Sequence, residues 1–142
     1  MKNNSKSKQP PHWVATRLLS FVAGDDKKAT INIGIPEPVS DKEWRCAYQV
    51  IIEPTTKPEV QYGHGVDAFQ ALFMVLGAIR NAIDKSGIAL VWLGETTGHG
   101  FPLFIPQIFG PDVTEHLEKM IKTELEFASA LIIKLKRKTH AK

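Results

Sequence analysis

Apolar and polar positions change their period along the chain, and each change marks an element. From Trp13 to Ala23, "WVATRLLSFVA" sets apolar residues on both parities, with β-branched and aromatic types recurring. That composition predicts a strand with at least one covered face. "GDDKK" supplies a turn, and in "ATINIGI" Ile31, Ile33 and Ile35 alternate with Thr30, Asn32 and Gly34. Residues 29–35 therefore read as the second arm of a β-hairpin. "PEPVSD" is expected to end that arm, because proline cannot donate to a ladder. In "EWRCAYQVIIE", which holds a strand over 44–53, Trp44, Cys46, Tyr48, Val50 and Ile52 share one parity while Arg45, Gln49 and Glu53 share the other. One face is core and the other wet, and the short connections argue for an antiparallel meander.

After a short "VQY" the period lengthens to about 3.6. Phe69, Leu72, Phe73, Leu76, Ile79 and Ile83 follow the spacing of a helix face, with Asp67 and Gln70 as a capping pair at its start and Ser86-Gly87 at its end. The other side of this helix over 66–85, formed by Ala68, Ala71, Val75, Ala78 and Ala82, is small or apolar too. Two neighbours are implied, which makes the helix too buried to present a catalytic face. "IALVWL", over 88–93, reads as an interior strand. The segment "GETTGHGFPLFIPQIFGP" is irregular, and a helix over 112–136 follows, with Asp112 and Glu115 as a second capping pair. The expectation is an α+β fold: an antiparallel sheet of about four strands with two helices on one face, in the order β-β-β-α-β-α. It forms one domain over 12–136 between tails at 1–11 and 137–142.

Composition refines this picture. The 142 residues suffice for one core, and Cys46, the one cysteine, permits neither an internal disulfide nor a multi-cysteine metal cluster. With no secretory leader pattern and no long uncharged apolar run, the chain is expected to be a soluble cytoplasmic protein that needs no membrane. The formal charge of +3 suggests nucleic acid, but its distribution does not. Eight of the 18 basic residues lie within 1–8 and 134–142, which hold no acid, leaving ten against all 15 acids between them, a net of −5. Tails of that kind usually solubilise, so no specific nucleic-acid partner is expected.

Candidate chemistry centres on "GHG", which occurs at Gly63-His64-Gly65 and again at Gly98-His99-Gly100. Two histidines on glycine loops, joined by Glu95, would supply three ligands for a metal-assisted hydrolase or another small-ligand enzyme, if the loops meet. Neither repeat carries a second ligand at a recognised spacing, and glycine turns that hold exposed histidines explain both without chemistry. The primary reading therefore assigns no catalytic residue, no metal and no cofactor, with His64, His99 and Glu95 as the alternative. Cys46, between Trp44 and Tyr48 on the apolar parity, is expected to be buried and inert. No nucleophile elbow, phosphate loop or dinucleotide fingerprint is present. Phe101, Leu103, Phe104, Ile105, Ile108 and Phe109 either close the core or form a contact surface.

The stretch "GVDAFQALFMVLGAIRNAI" followed by "LVWLGETTGHGFPL" resembles a group of small bacterial domains of unknown function. In these a helix opening on glycine, aspartate and glutamine leads to a strand ending in Trp-Leu and a glycine-rich turn closing on glycine, phenylalanine or leucine, and proline. The resemblance covers Gly65, Asp67, Ala68, Gln70, Ala71 and Leu72 in the helix, and Trp92, Leu93, Gly100, Phe101 and Pro102 in the turn. It implies a fold and no activity. The acidic body, the apolar "FPLFIPQIF" loop and the missing catalytic constellation point to a protein-binding or self-associating module, of which an immunity- or antitoxin-like protein is one form.

Overall fold

A computed structural model describes residues 11–24, 26–54, 58–94, 98–105 and 109–139, with side chains to residue 136. The chain divides into two compact units, 1–103 and 104–142. The stretch 12–136, read from sequence as one domain, spans both.

The first unit is a five-stranded antiparallel sheet and one helix. Its strands are β1 (Trp13–Phe21), β2 (Lys28–Ser40), β3 (Glu43–Ile52), β4 (Gln61–Gly65) and β5 (Leu90–Val91), with α1 (Ala68–Ser86) inserted before β5. The spatial order is β4-β3-β2-β1-β5. The α+β class and the antiparallel sheet follow the sequence pattern, but there are five strands, so the order β-β-β-α-β-α lacks one. The missing strand is β4, whose two glycines disguise it as a turn because glycine has little intrinsic preference for strands.

Two further corrections have local causes. β2 runs through Pro36 and Pro38, with register shifts on either side, instead of ending before them. The described part of β1 reaches no further than Gly34 and Ile35, so beyond them β2 is an edge toward that side, where a missing N–H costs no ladder bond. β5 is two residues long and lies at the opposite edge from β4, rather than in the interior.

Pairing places Ala29 opposite Leu19 and Ile52, and Ile31 opposite Val50, so the alternate positions of β1, β2 and β3 form one apolar face. That face holds Leu19, Ala29, Ile31, Cys46 and Tyr48 against Ala71, Val75, Ile79 and Ile83 of α1. The core parity anticipated for β3 is the observed one. The α1 face is so only in part: Ile79 and Ile83 of the anticipated stripe are buried, but in line with Ala71 and Val75 of the smaller side, whereas Phe69 remains 76% exposed. Small residues let α1 sit close to the sheet, and the bulky stripe is turned aside. The ends of α1 are as expected, with Asp67 accepting the Gln70 N–H at 2.7 Å, Gln70 accepting the Val66 N–H at 2.7 Å, and Gly87 closing the helix at φ 67°.

On the opposite face of the sheet a polar row fixes register. Thr16 donates to Asn32 at 2.8 Å, Asn32 to Gln49 at 3.3 Å, and Gln49 to the Pro58 carbonyl at 3.2 Å. These three side chains are direct cross-strand partners, so slipping the register by one residue would strand the nearly buried Asn32 amide. The Cys46 thiol is fully buried and its pKa is pushed up by desolvation, as an inert thiol requires.

The second unit contains α2 (Pro111–Thr139). Its first helical residue is Pro111, preceded by Gly110, whose carbonyl accepts the Thr114 N–H at 3.2 Å. Asp112, expected as the cap, lies instead in the first turn, where its charge still suits the helix dipole. Among the described residues no helix is long and apolar enough to cross a membrane.

Candidate functional site

The two "GHG" sequences occupy opposite edges of the sheet, because β4 and β5 are its outer strands with three others between them. Four strand spacings of about 4.8 Å put those edges about 19 Å apart. They also differ in side. Gly63 and Gly65 face α1, which turns His64 between them to the opposite face, paired with Arg45. His99 instead approaches Asp84 of α1. The two histidines are not brought together, and Glu95 lies outside the described residues. Among the described residues there is no cluster of three or more histidine, cysteine or acidic side chains that would hold a metal ion.

The first "GHG" is a packing device. Neither of its glycines needs a left-handed backbone, since both lie in extended β4. A Cβ on Gly63 would fall 2.7 Å from Val75 Cγ2, 2.9 Å from Val75 N and 3.0 Å from the Ala71 carbonyl oxygen. One on Gly65 would run into the backbone of Ala71 and Gln70. The β4 backbone therefore lies directly on α1, which only glycine permits. His64 points outward, its Nδ1 2.9 Å from Glu43 Oε1, beside Arg45, which is bonded to Glu37 at 2.7 Å and stacked over Tyr62. These groups are roughly half exposed, and ion pairs of this kind contribute little.

The second "GHG" belongs to a clamped loop. Leu93, Gly94, Gly98 and Gly100 all take positive φ, and the Trp92 N–H closes the loop on the Gly98 carbonyl at 3.0 Å. Arg17, on the core parity of β1, lies over the Trp92 ring at 4.0 Å and the Phe101 ring at 4.7 Å, and donates to the Gly100 carbonyl at 2.8 Å. From α1, Arg80 donates to the Phe101 carbonyl at 3.0 Å. Its Nε is shielded from solvent, 3.4 Å from Asp84 Oδ2 but without hydrogen-bond alignment. His99 Nδ1 accepts the Phe101 N–H at 3.1 Å, which assigns the ring proton to Nε2, 3.6 Å from Asp84 Oδ1. The His99 side chain is 16% exposed, against 54% for His64.

This arrangement ties loop, strand and helix together. Both guanidinium groups are committed to backbone carbonyls, and the imidazole to a backbone amide. His64 is exposed as expected, though it lies in a strand rather than a glycine turn, and the expected exposure of His99 is corrected. Sequence reading passed over Arg17, Arg80 and Asp84. The available signals were a charge on the apolar parity of β1 and an i, i+4 pair on α1.

Replacing Arg17 by alanine is expected to cost about 2 kcal/mol in urea denaturation, from two cation–π contacts and the hydrogen bonds to the His99 and Gly100 carbonyls. Lysine should recover little, since it lacks the planar fork that stacks and donates at once. His99→Ala should cost about 1 kcal/mol through the unpaired Phe101 amide, and His64→Ala under about 0.5 kcal/mol.

Of the apolar loop residues, Phe101 is buried and closes the core, Phe104 and Ile105 are half-buried, and Leu103 and Phe109 are exposed. Ile108 lies outside the described residues. No curated protein and no solved structure matches the chain. A family model does match, over residues 15–103, which takes in β1 from Ala15 onward, the other four strands, α1 and the Arg17 clamp, and ends where the first unit ends. On that match the chain belongs to a family described as a domain of unknown function, DUF6968.

Proposed function

We propose that this protein acts by binding another protein or a second copy of itself, through apolar surface and without catalysis of its own. The observation that carries the reading is the second apolar side of α1. Phe69 and Phe73, one turn apart on α1, are both more than half exposed, and Val66, just ahead of the Asp67 cap, is exposed beside them. Large apolar side chains gathered on one exposed side mark contact surfaces more often than solvent faces. The polar groups around His99 are engaged in holding backbone, and those around His64 are paired with one another at an exposed edge, which leaves neither set suited to reaction chemistry. An immunity- or antitoxin-like role is one specific form of this reading, and a cytoplasmic setting belongs to it.

The test is Phe69→Asp, a change at a position exposed enough to leave the fold intact. Cross-linking in the cells that make the protein, followed by recovery of the wild type and the variant, should yield with the wild type a linked species, held through α1, that the variant lacks. An unpartnered wild-type protein, or equal recovery with the variant at an unchanged melting temperature, would overturn the reading.

A further inference from the structure

A single helix cannot bury its own apolar stripe, and α2 carries a long one. Leu117, Ile121, Ala128, Leu131 and Ile132 share one side of 29 residues, a length of about 43 Å at 1.5 Å per residue. Met120, Ile121, Leu125, Phe127, Leu131 and Ile132 of α2 are between 44% and 68% exposed, while Leu117 is half-buried. The charges on the same helix are sorted by end. Residues 111–126 hold five acids and two lysines, a net of −3, while 127–139 hold four basic residues and no acid, a net of +4. The helix lies outside the family match, so its pattern is separate from that of the sheet domain.

We infer that α2 pairs antiparallel with α2 of a second copy of this chain, the acidic half of each lying along the basic half of the other. A parallel pair would set −3 against −3 and +4 against +4, which the charge pattern opposes. Glu118 and Lys136 specify the register. They are eighteen residues apart, five turns at 3.6 residues per turn, and so lie on the same flank of the stripe. About a two-fold axis near Phe127, which is midway between them, Glu118 of each copy comes level with Lys136 of the other. Same-flank residues meet across an antiparallel pair, so both contacts form at once. The inference rests on the binding-module reading and adds to it a second contact, made by α2 with another copy of the chain.

Light scattering on the full chain across a concentration series reads the outcome directly. The account expects a mass of twice the 15.8 kDa chain at the upper concentrations. Glu118→Lys alone and Lys136→Glu alone should each weaken the dimer about tenfold, since each places like charges together at two points. Mixing the two variants should restore it, because both contacts then join opposite charges. A monomer at every concentration overturns the self-association. A dimer indifferent to both substitutions, or variants that fail to rescue one another, overturns the antiparallel helix pair. That last result would leave the module reading in place, since a dimer formed elsewhere still supports it, and Phe69→Asp tests that reading independently.

Discussion

Placing a single methyl group on Gly63 or Gly65 is expected to destabilise the protein by about 3 kcal/mol or more, at or beyond the upper end of the overpacking range. The obstacle at Gly63 is the Val75 side chain together with backbone atoms of Val75 and Ala71, and at Gly65 it is the helix backbone itself. Backbone cannot rotate aside as a side-chain tip can. Either β4 must separate from α1, breaking its pairing with β3, or α1 must lift from the sheet and open the core. His64→Ala, between the two, should be nearly silent. Urea denaturation of the three variants checks this contrast, and a small loss at both glycines would mean that β4 does not lie against α1 as described.

The second large effect is expected at Ile79. It is fully buried, with α1 neighbours Val75 and Ile83 along the same line and the apolar sheet face beneath. Ile79→Ala should cost about 2–5 kcal/mol through lost burial and the cavity left behind. Leu76, on the bulkier stripe, is only half-buried, so Leu76→Ala should cost roughly half as much or less. Equal losses at the two positions would return the bulky stripe to the core and contradict the observed rotation of α1.

That rotation shows where pattern reading stops. Both sides of α1 are apolar, so periodicity identified the helix and its caps without telling which side meets the sheet. Size decided it: Ala71 and Val75 allow close approach to Gly63 and Gly65, where Phe69 and Phe73 would not. The core parity of β3 was legible because its two faces differ sharply in polarity. β4 was not, because its need for glycine arises from a helix that follows it in the chain. The Arg17 clamp was hidden for a similar reason. Its parts come from β1, α1 and the loop after β5, and only the sheet order brings them together.

The two "GHG" sequences are accordingly one motif by spelling and two by physics. In the first, glycine serves close approach in an extended strand. In the second, glycine serves positive φ in a loop whose histidine accepts a backbone amide. The measurement that bears most directly on this is a long-range proton–nitrogen correlation spectrum of the histidine rings, recorded before and after equimolar zinc. The account predicts a proton on Nε2 of His99 and an unprotonated, hydrogen-bonded Nδ1, with no common response of His64 and His99 to the metal. Ring nitrogens of both histidines shifting together at stoichiometric zinc would contradict it.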